Sequence, residues 1–281
     1  MSNEASDSIR FDGYEDVPSS RFTLKHFSLM NSLLTVINQT STDCLENVLA
    51  WYFLEHFEHL EDLNVYDVAE ECFTSRSGIR RFCQSIGYDN FSAVKNSAYE
   101  WSHHKDFFVS YACHDGYREY LGSSIGDMIE EVNRRVTDEE LDKLAKSIHD
   151  ARTTILIASD FSSMAVRDFQ QSMLYMHKIV RLLSDSSGDE ELLKHLRPAD
   201  TVIVISASGN YAQAVYPQLE GISSRKFLIT LNRNDRLARD FDSVYYLSKS
   251  DYLRKRTVYA RYGINYFFDL LYNRYISIFN T

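Results

Sequence analysis

The stretch from Asp200 to Val215, D-T-V-I-V-I-S-A-S-G-N-Y-A-Q-A-V, constrains the fold more than any other part of the chain. Thr201 to Ile205 is an unbroken β-branched run, the pattern of a strand buried on both faces in a parallel sheet. Ser206, Ser208 and Gly209 follow at once, and a helix is predicted from Asn210 to Leu219. A strand, a turn of small residues and a helix place backbone N–H groups and two hydroxyls at a helix N-terminus, a corner that attracts anions and phosphate above all. A tight βα loop with no ligand calls for the same small residues, so both readings stand at this point.

The surrounding sequence repeats this rhythm. Strands are expected at Ile155–Ala158, Lys178–Leu183, Lys226–Leu231 and Val244–Leu247, and helices at Ser162–Met176 and Asp189–His195. Alternation of this kind implies a mainly parallel sheet of about five strands flanked by helices. Ligands bind such sheets at the carboxyl ends of the strands. That rule puts Ser159–Ser163 and Ser206–Asn210 on one rim and favours a phosphate-bearing ligand there.

Ahead of this part the chain reads as helical. Residues 1–20 are polar and acidic and are expected to form a mobile tail. Helical spacing of Leu24, Phe27, Leu29, Leu33, Leu34 and Ile37 predicts a helix over Phe22–Asn38. Asp43 followed by Glu46 has the form of a capping box for a second helix ending near Leu60. Val65, Val68 and Ala69 mark a short helix, Phe73-Thr74-Ser75 a turn, and Ser75 the N-cap of a helix over Arg76–Ser85 that Gly87 ends. Two short helices joined by a few residues make a helix-turn-helix pattern. Ile79, Phe82 and Ile86 would point inward, leaving Arg76, Arg80 and Arg81 exposed, where a major groove would offer them phosphates and guanine edges. Against that stands the local charge: Ser41–Trp101 holds eleven acids and four bases, and arginines also serve as an ordinary solvated face.

A helix is expected over Phe91–Trp101, a connection over residues 102–124, and helices over Ser123–Asn133 and Asp138–Ala151. His103, His104 and His114 lie in the connection without the spacing or companion carboxylates of a metal site. The last helix, Lys255–Phe279, is dense in aromatics, which suits either core packing or a partner subunit.

Composition sets bounds on function. Four scattered cysteines without a C-x-x-C pair read as reduced thiols, and no metal or cofactor is implied. No run approaches the length of a membrane helix, and the opening S-N-E-A-S-D-S lacks the pattern of a signal segment, so a cytoplasmic protein is expected. The formal net charge of −10 means that any DNA contact must rest on a local patch.

Taken together, these motifs resemble the RpiR family of bacterial transcriptional regulators, which carry an N-terminal helix-turn-helix and a C-terminal SIS (sugar isomerase) domain. Ala69, Ser75, Arg81-Phe82-Cys83, Gly87, Tyr88, Phe91 and Lys95 stand where the family's signature has them. Ser206–Gly209 matches its S-x-S-G-x-T, and Arg261 and Asp269 fit its last helix. The resemblance implies a two-domain chain: an all-α helix-turn-helix head at 21–101, a linker at 102–124 and an α/β SIS domain at 125–281. It implies a regulator rather than an enzyme, with double-stranded operator DNA, a sugar-phosphate effector and a homodimer or tetramer as partners. Ser75, Arg76, Ser77, Arg80 and Arg81 would meet DNA. Ser162, Ser163, Ser206, Ser208, Gly209 and Asn210 would hold the effector.

Three positions depart from that pattern. Gly78 replaces a threonine-like residue within the DNA-contacting helix. Ser159-Asp160-Phe161-Ser162-Ser163 replaces G-x-G-x-S, and Tyr211 replaces the final threonine of the second loop. An altered ligand, or none, therefore stands beside the primary reading. So does a SIS-fold isomerase, for which Asp160 and His195 are the nearby candidate bases.

Overall fold

The computed structural model describes residues 28–113, 115–184, 190–250 and 256–280. The expected tail, the first residues of the Phe22–Asn38 helix, His114, Asp189 and Lys255 lie outside them.

Five strands form one wholly parallel sheet: β1 (Thr154–Ala158), β2 (Val180–Leu183), β3 (Thr201–Ile205), β4 (Arg225–Thr230) and β5 (Ser243–Tyr246), in the order β2-β1-β3-β4-β5. The unbroken apolar runs follow from coverage on both sides. Leu156, Ala158, Ile203 and Ile205 enter one core, while Ile155, Ile157, Val202 and Val204 enter the other. Each of these fully buried Leu, Ile and Val side chains contributes about 1.5–3 kcal/mol.

The helices, in chain order, are α1 (Leu29–Gln39), α2 (Leu45–Glu55), α3 (Val65–Glu71), α4 (Arg76–Ser85), α5 (Phe91–Lys95), α6 (Tyr99–Ala112), α7 (Tyr117–Arg135) and α8 (Asp138–Asp150). Then come α9 (Asp160–Leu174), α10 (Asn210–Leu219), α11 (Asp235–Ala238), α12 (Arg256–Val258) and α13 (Ile264–Phe279), with a π-helical turn, Tyr259–Gly263, between the last two. Helices α7, α8, α9 and α13 cover one face of the sheet; α10, α11 and the 3₁₀ turn Glu190–His195 cover the other. The aromatic side chains Phe267, Phe268 and Tyr275 of α13 are spent inside this core. Among the described residues no helix is long and apolar enough to cross a membrane.

A separate core belongs to the N-terminal helices. Leu29, Leu33, Leu49, Phe53, Phe57, Val68, Ile79, Phe82 and Val94 are buried together there. Cys72 and Cys83 join it, and burial pushes their thiols up to about 11 and about 12, so they act as packing groups. Cys113, by contrast, is exposed.

Several boundaries differ from the sequence reading. Helix α1 starts at Leu29 because Ser28 caps it, accepting the Asn31 N–H. The Asp43–Glu46 capping box does not form: the Cys44 N–H bonds to the Ser41 carbonyl, moving the N-cap to Cys44 and leaving Asp43 one residue early. The Phe91–Trp101 helix is broken at residues 96–98, and α6 then runs on to Ala112, through residues read as irregular connection. Helix α7 likewise begins at Tyr117 rather than at Ser123. Helix α6 reaches both cores, with Trp101 packed against the N-terminal one and Tyr111 inside that of the sheet.

Asp200 ties the N-terminal ends of β1 and β3. Fully buried, it accepts from Arg152 Nη2 at 2.6 Å and from the Arg197 N–H at 2.8 Å. Burial alone would raise its carboxyl; the Arg152 and Arg197 donors outweigh that and hold it below the usual carboxylate value. Asp200→Ala is expected to lower the unfolding free energy by about 2 kcal/mol at pH 7, the figure discounted because Arg152 is half exposed. The folded value lies below the unfolded one, so this contribution is full above about pH 4 and fades as pH falls through the folded value. Denaturant melts of the two proteins at pH 7 and pH 3 should therefore differ by less at the lower pH.

Candidate nucleic-acid interface and effector site

The helix-turn-helix is built by local chemistry. Asn64 caps α3, and the turn after it uses Phe73 in the left-handed region, φ 49°, while the Thr74 N–H bonds back to the Ala69 carbonyl. Ser75 Oγ then accepts the Gly78 N–H at 3.1 Å to start α4. At the far end Gly87, φ 92°, closes a Schellman turn, with Tyr88 N–H on the Cys83 carbonyl and Gly87 N–H on that of Gln84. Ile79, Phe82 and Ile86 point inward as the spacing required.

The departure at Gly78 has a steric basis. A Cβ there would stand 2.4 Å from Thr74 Oγ1, so the turn hydroxyl occupies the space a larger residue would need. Lys95, one of the residues that carry the resemblance in sequence, serves structure: its ammonium donates to the Leu63 carbonyl just ahead of α3.

The outer face of α4 carries Arg76, Ser77, Arg80 and Arg81, all exposed, with Ser75 at its start. Arg76 donates to Tyr66 OH at 3.0 Å and lies over that ring at 5.0 Å, so α3 orients it. Ser75 and Ser77 hydroxyls are bonded to each other at 2.8 Å. Arg80 and Arg81 have no hydrogen-bond or ion-pair partner among the described residues, which leaves both guanidinium forks available. Two residues on this surface escaped the sequence reading. Gln84 continues the exposed row one turn beyond Arg80 and Arg81, as its spacing could have shown, and Tyr66 holds Arg76. The acids of this region, Asp67, Glu70 and Glu71, are exposed on α3 rather than on α4.

The second site lies at the topological switch of the sheet. Strands β1 and β3 pair in register to Ala158 and Ile205, so the segments beginning at Ser159 and Ser206 leave the sheet side by side. Helix α9 starts two residues earlier than the spacing suggested, at Asp160, which puts Ser162 and Ser163 in its first turn, both buried. Their N–H groups bond to the Ser159 carbonyl at 2.8 and 2.9 Å.

In the second loop Ser206 Oγ accepts the Ala212 N–H and Ser208 Oγ the Asn210 N–H, each at 3.3 Å, while the Gly209 N–H bonds to the Ser206 carbonyl. The loop thus satisfies the N-terminus of α10 itself, and the amides expected to meet a phosphate are engaged within the loop. Tyr211, at the family's threonine position, is buried in the core beneath. Asn232, not singled out from sequence, holds the loop from the side: its Nδ2 donates to the Ser208 carbonyl at 2.6 Å, and its own N–H bonds to Thr230 Oγ1. A polar L-N-R-N run directly after a buried strand was the available signal.

The structure brings together Ser206, Ser208, Gly209 and Asn210 in one loop, with Ser162 and Ser163 beginning the neighbouring helix. Arg261 stands 5.4 Å from the ring centres of both Phe108 and Tyr111, linking the π-helical turn to α6. His195 is exposed on its 3₁₀ turn. Burial and the nearby Asp168 carboxylate raise the Asp269 carboxyl above its usual value. Among the described residues no group of three or more His, Cys, Asp or Glu is placed to hold a metal ion.

No protein-family model matches the chain, and no curated protein matches it significantly. Solved structures similar to it include the following three. The Vibrio vulnificus NanR protein complexed with ManNAc-6P is 16% identical, covering 90% of this chain and 93% of its own, with a TM-score of 0.49. The sugar isomerase domain of an RpiR transcription factor from Sphaerobacter thermophilus is 17% identical over 56% of this chain and 94% of its own, with a TM-score of 0.38. A hypothetical Methanococcus jannaschii protein, for which a 3-hexulose-6-phosphate isomerase function was inferred, is 17% identical over 59% of this chain and 92% of its own, with a TM-score of 0.46. The architecture itself, helices with a helix-turn-helix ahead of a five-stranded parallel sheet flanked by helices, is the one implied by the resemblance in sequence.

Proposed function

We propose that this chain is a cytoplasmic, DNA-binding transcriptional regulator of the RpiR type, acting as a homodimer whose SIS unit senses a sugar phosphate. The observation that carries the reading is the outer face of α4, where Arg80 and Arg81 stand without partners among the described residues on a helix secured at both ends by Ser75 and Gly87. Arg76, Ser75 and Ser77 would contact the phosphate backbone beside them. At the rim, Ser206 and Ser208 would have to turn from the amides they now accept to reach a phosphate. Binding would therefore rearrange the loop, a differential interaction of the kind a ligand-driven switch requires. Helix α6 offers a route to the head, since it packs into both cores.

Fluorescence anisotropy on DNA from upstream of the chain's own gene tests the first half. Binding should be specific and weaken as salt rises. Arg80→Ala and Arg81→Ala should each cost about tenfold in affinity, and a variant that contacts only phosphate should weaken scrambled DNA equally. Unchanged affinity in folded variants would remove these residues and the reading with them.

A second reading is favoured by the self-satisfied loop and by Tyr211: a SIS module that binds no ligand and serves interaction alone. Titration with a panel of hexose phosphates separates the two. Turnover of any of them would instead support a SIS-fold isomerase.

A further inference from the structure

A basic cavity lies past β5, at the edge of the same strand rim. A cavity of about 310 Å³ lies between the C-terminal turn of α7 and the segment after β5, lined by Glu131, Arg134, Arg135 and Lys249. Its size is at the small end of ligand pockets.

Among the described residues the charges there do not balance. Glu131 is buried, and its acceptors are consumed by the protein: Oε1 takes Arg135 Nε at 3.1 Å and the Lys249 N–H at 2.5 Å, and Oε2 takes Tyr259 OH at 2.5 Å. The π-helical turn at Tyr259–Gly263 carries that tyrosine. Held through Nε, Arg135 keeps its two terminal nitrogens for another acceptor. The Lys249 side chain is exposed, and its ammonium has no acceptor among the described residues. Arg134 makes only an exposed pair with Glu130 at 3.4 Å, which is worth little.

Arg233, three residues beyond β4, does not line the cavity but reaches the chain beside Lys249. It donates to the Ser248 carbonyl and stacks on the Tyr246 ring at 4.0 Å, and its buried Nε has no acceptor among the described residues. Burial and then the charge of Arg135 lower its pKa, and Tyr246 and the Glu131 carboxylate oppose that only in part. Among the described residues, Arg134, Arg135 and Lys249 around one saturated carboxylate leave an excess of positive charge in an open concave site, which favours an oxyanion.

We propose that this cavity binds a small, multiply charged oxyanion, a phosphate or diphosphate group, through Arg134, Arg135 and Lys249. The proposal does not depend on an effector at the serine loop. Calorimetric titration of the full chain with inorganic pyrophosphate tests it, with a hexose phosphate in a second series to tell a free anion from a phosphate ester. Saturable pyrophosphate binding is expected, weakened about tenfold in the Arg134→Ala/Lys249→Ala double variant and unaltered in Ser206→Ala/Ser208→Ala. Both basic residues are exposed, so the double variant should keep its fold, checked by circular dichroism. Absence of saturable binding to the wild-type chain would overturn the proposal. Equal binding by the basic-site variant, or loss confined to the serine variant, would overturn it too.

Discussion

Glu100→Ala is expected to destabilise the N-terminal helices by about 3 kcal/mol, because it strips a buried acceptor from three donors at once. Glu100 opens α6 yet caps α1, more than seventy residues earlier: Oε1 accepts the Leu29 N–H at 2.9 Å, and Oε2 accepts the Met30 N–H at 3.2 Å and Ser28 Oγ at 3.0 Å. Those amides belong to a helix N-terminus, whose donors have no partners within the helix. A carboxylate there is also favoured by the helix dipole. Alanine leaves the donors buried and unmet, so the denaturant midpoint of the helical core should drop sharply. A variant within 1 kcal/mol of wild type, on the scale of a single surface change, would show that Glu100 does not anchor α1.

The same residue has a pH signature of opposite sign to that of Asp200. Burial raises the Glu100 carboxyl above its usual value, and the three hydrogen bonds only partly offset this. A group whose folded value is raised contributes most below its unfolded value, near pH 4.3, and loses that contribution as pH rises through the folded value. Glu100→Gln removes the titration and keeps the shape. Its stability should vary less than that of wild type across mildly acidic to neutral pH, measured by urea melts at pH 5 and pH 7.5. Parallel profiles would sink the assignment.

The second large effect is at the serine loop that opens α10. Gly209 has φ 83°, and a β-carbon there would stand 2.6 Å from Asn232 Nδ2 and 2.9 Å from Asn232 Cβ and Cγ. Gly209→Ala therefore costs about 1–2 kcal/mol for the left-handed backbone and displaces Asn232 from the Ser208 carbonyl, about 1–3 kcal/mol more. Because Gly209→Ala and Asn232→Ala both lose the Asn232–Ser208 bond, their effects should not add. The double variant Gly209→Ala/Asn232→Ala is expected to be more stable than the two single effects summed, by about 1 kcal/mol. Strict additivity would mean that Asn232 does not buttress the loop. Any sugar-phosphate affinity of the serine loop should be lost in Gly209→Ala, since Ser206 and Ser208 flank the moved peptide.

Much of the fold was legible because its signals are local. The β-branched run of β3 marks a strand buried on both faces, and small residues mark the corner that follows. Ser75 reads as an N-cap and Gly87 as the end of α4, since each satisfies helix-terminal groups within a few residues. The failures have a common cause. Asp43 and Glu46 have the spacing of a capping box, but a turn at Ser41–Cys44 shifts the helix start by one residue. Residues 102–124 carry no periodic pattern strong enough to announce α6 and the start of α7, because the two ends of α6 serve different cores. Glu100 was one acid among eleven in a stretch that looked evenly solvated.

The order and type of the elements, the burial of β3 and the basic face of α4 were thus determined by the sequence itself, through hydrophobic periodicity and capping chemistry that act between near neighbours. Only the tertiary structure decided what each polar side chain is for. It set Glu100 on the end of α1 and Asn232 against the serine loop, and it set the Tyr259 hydroxyl on Glu131. These pairings join residues distant in the chain. Whether a buried charge is capped, balanced or left in excess depends on which elements fold against it, and no local pattern encodes that.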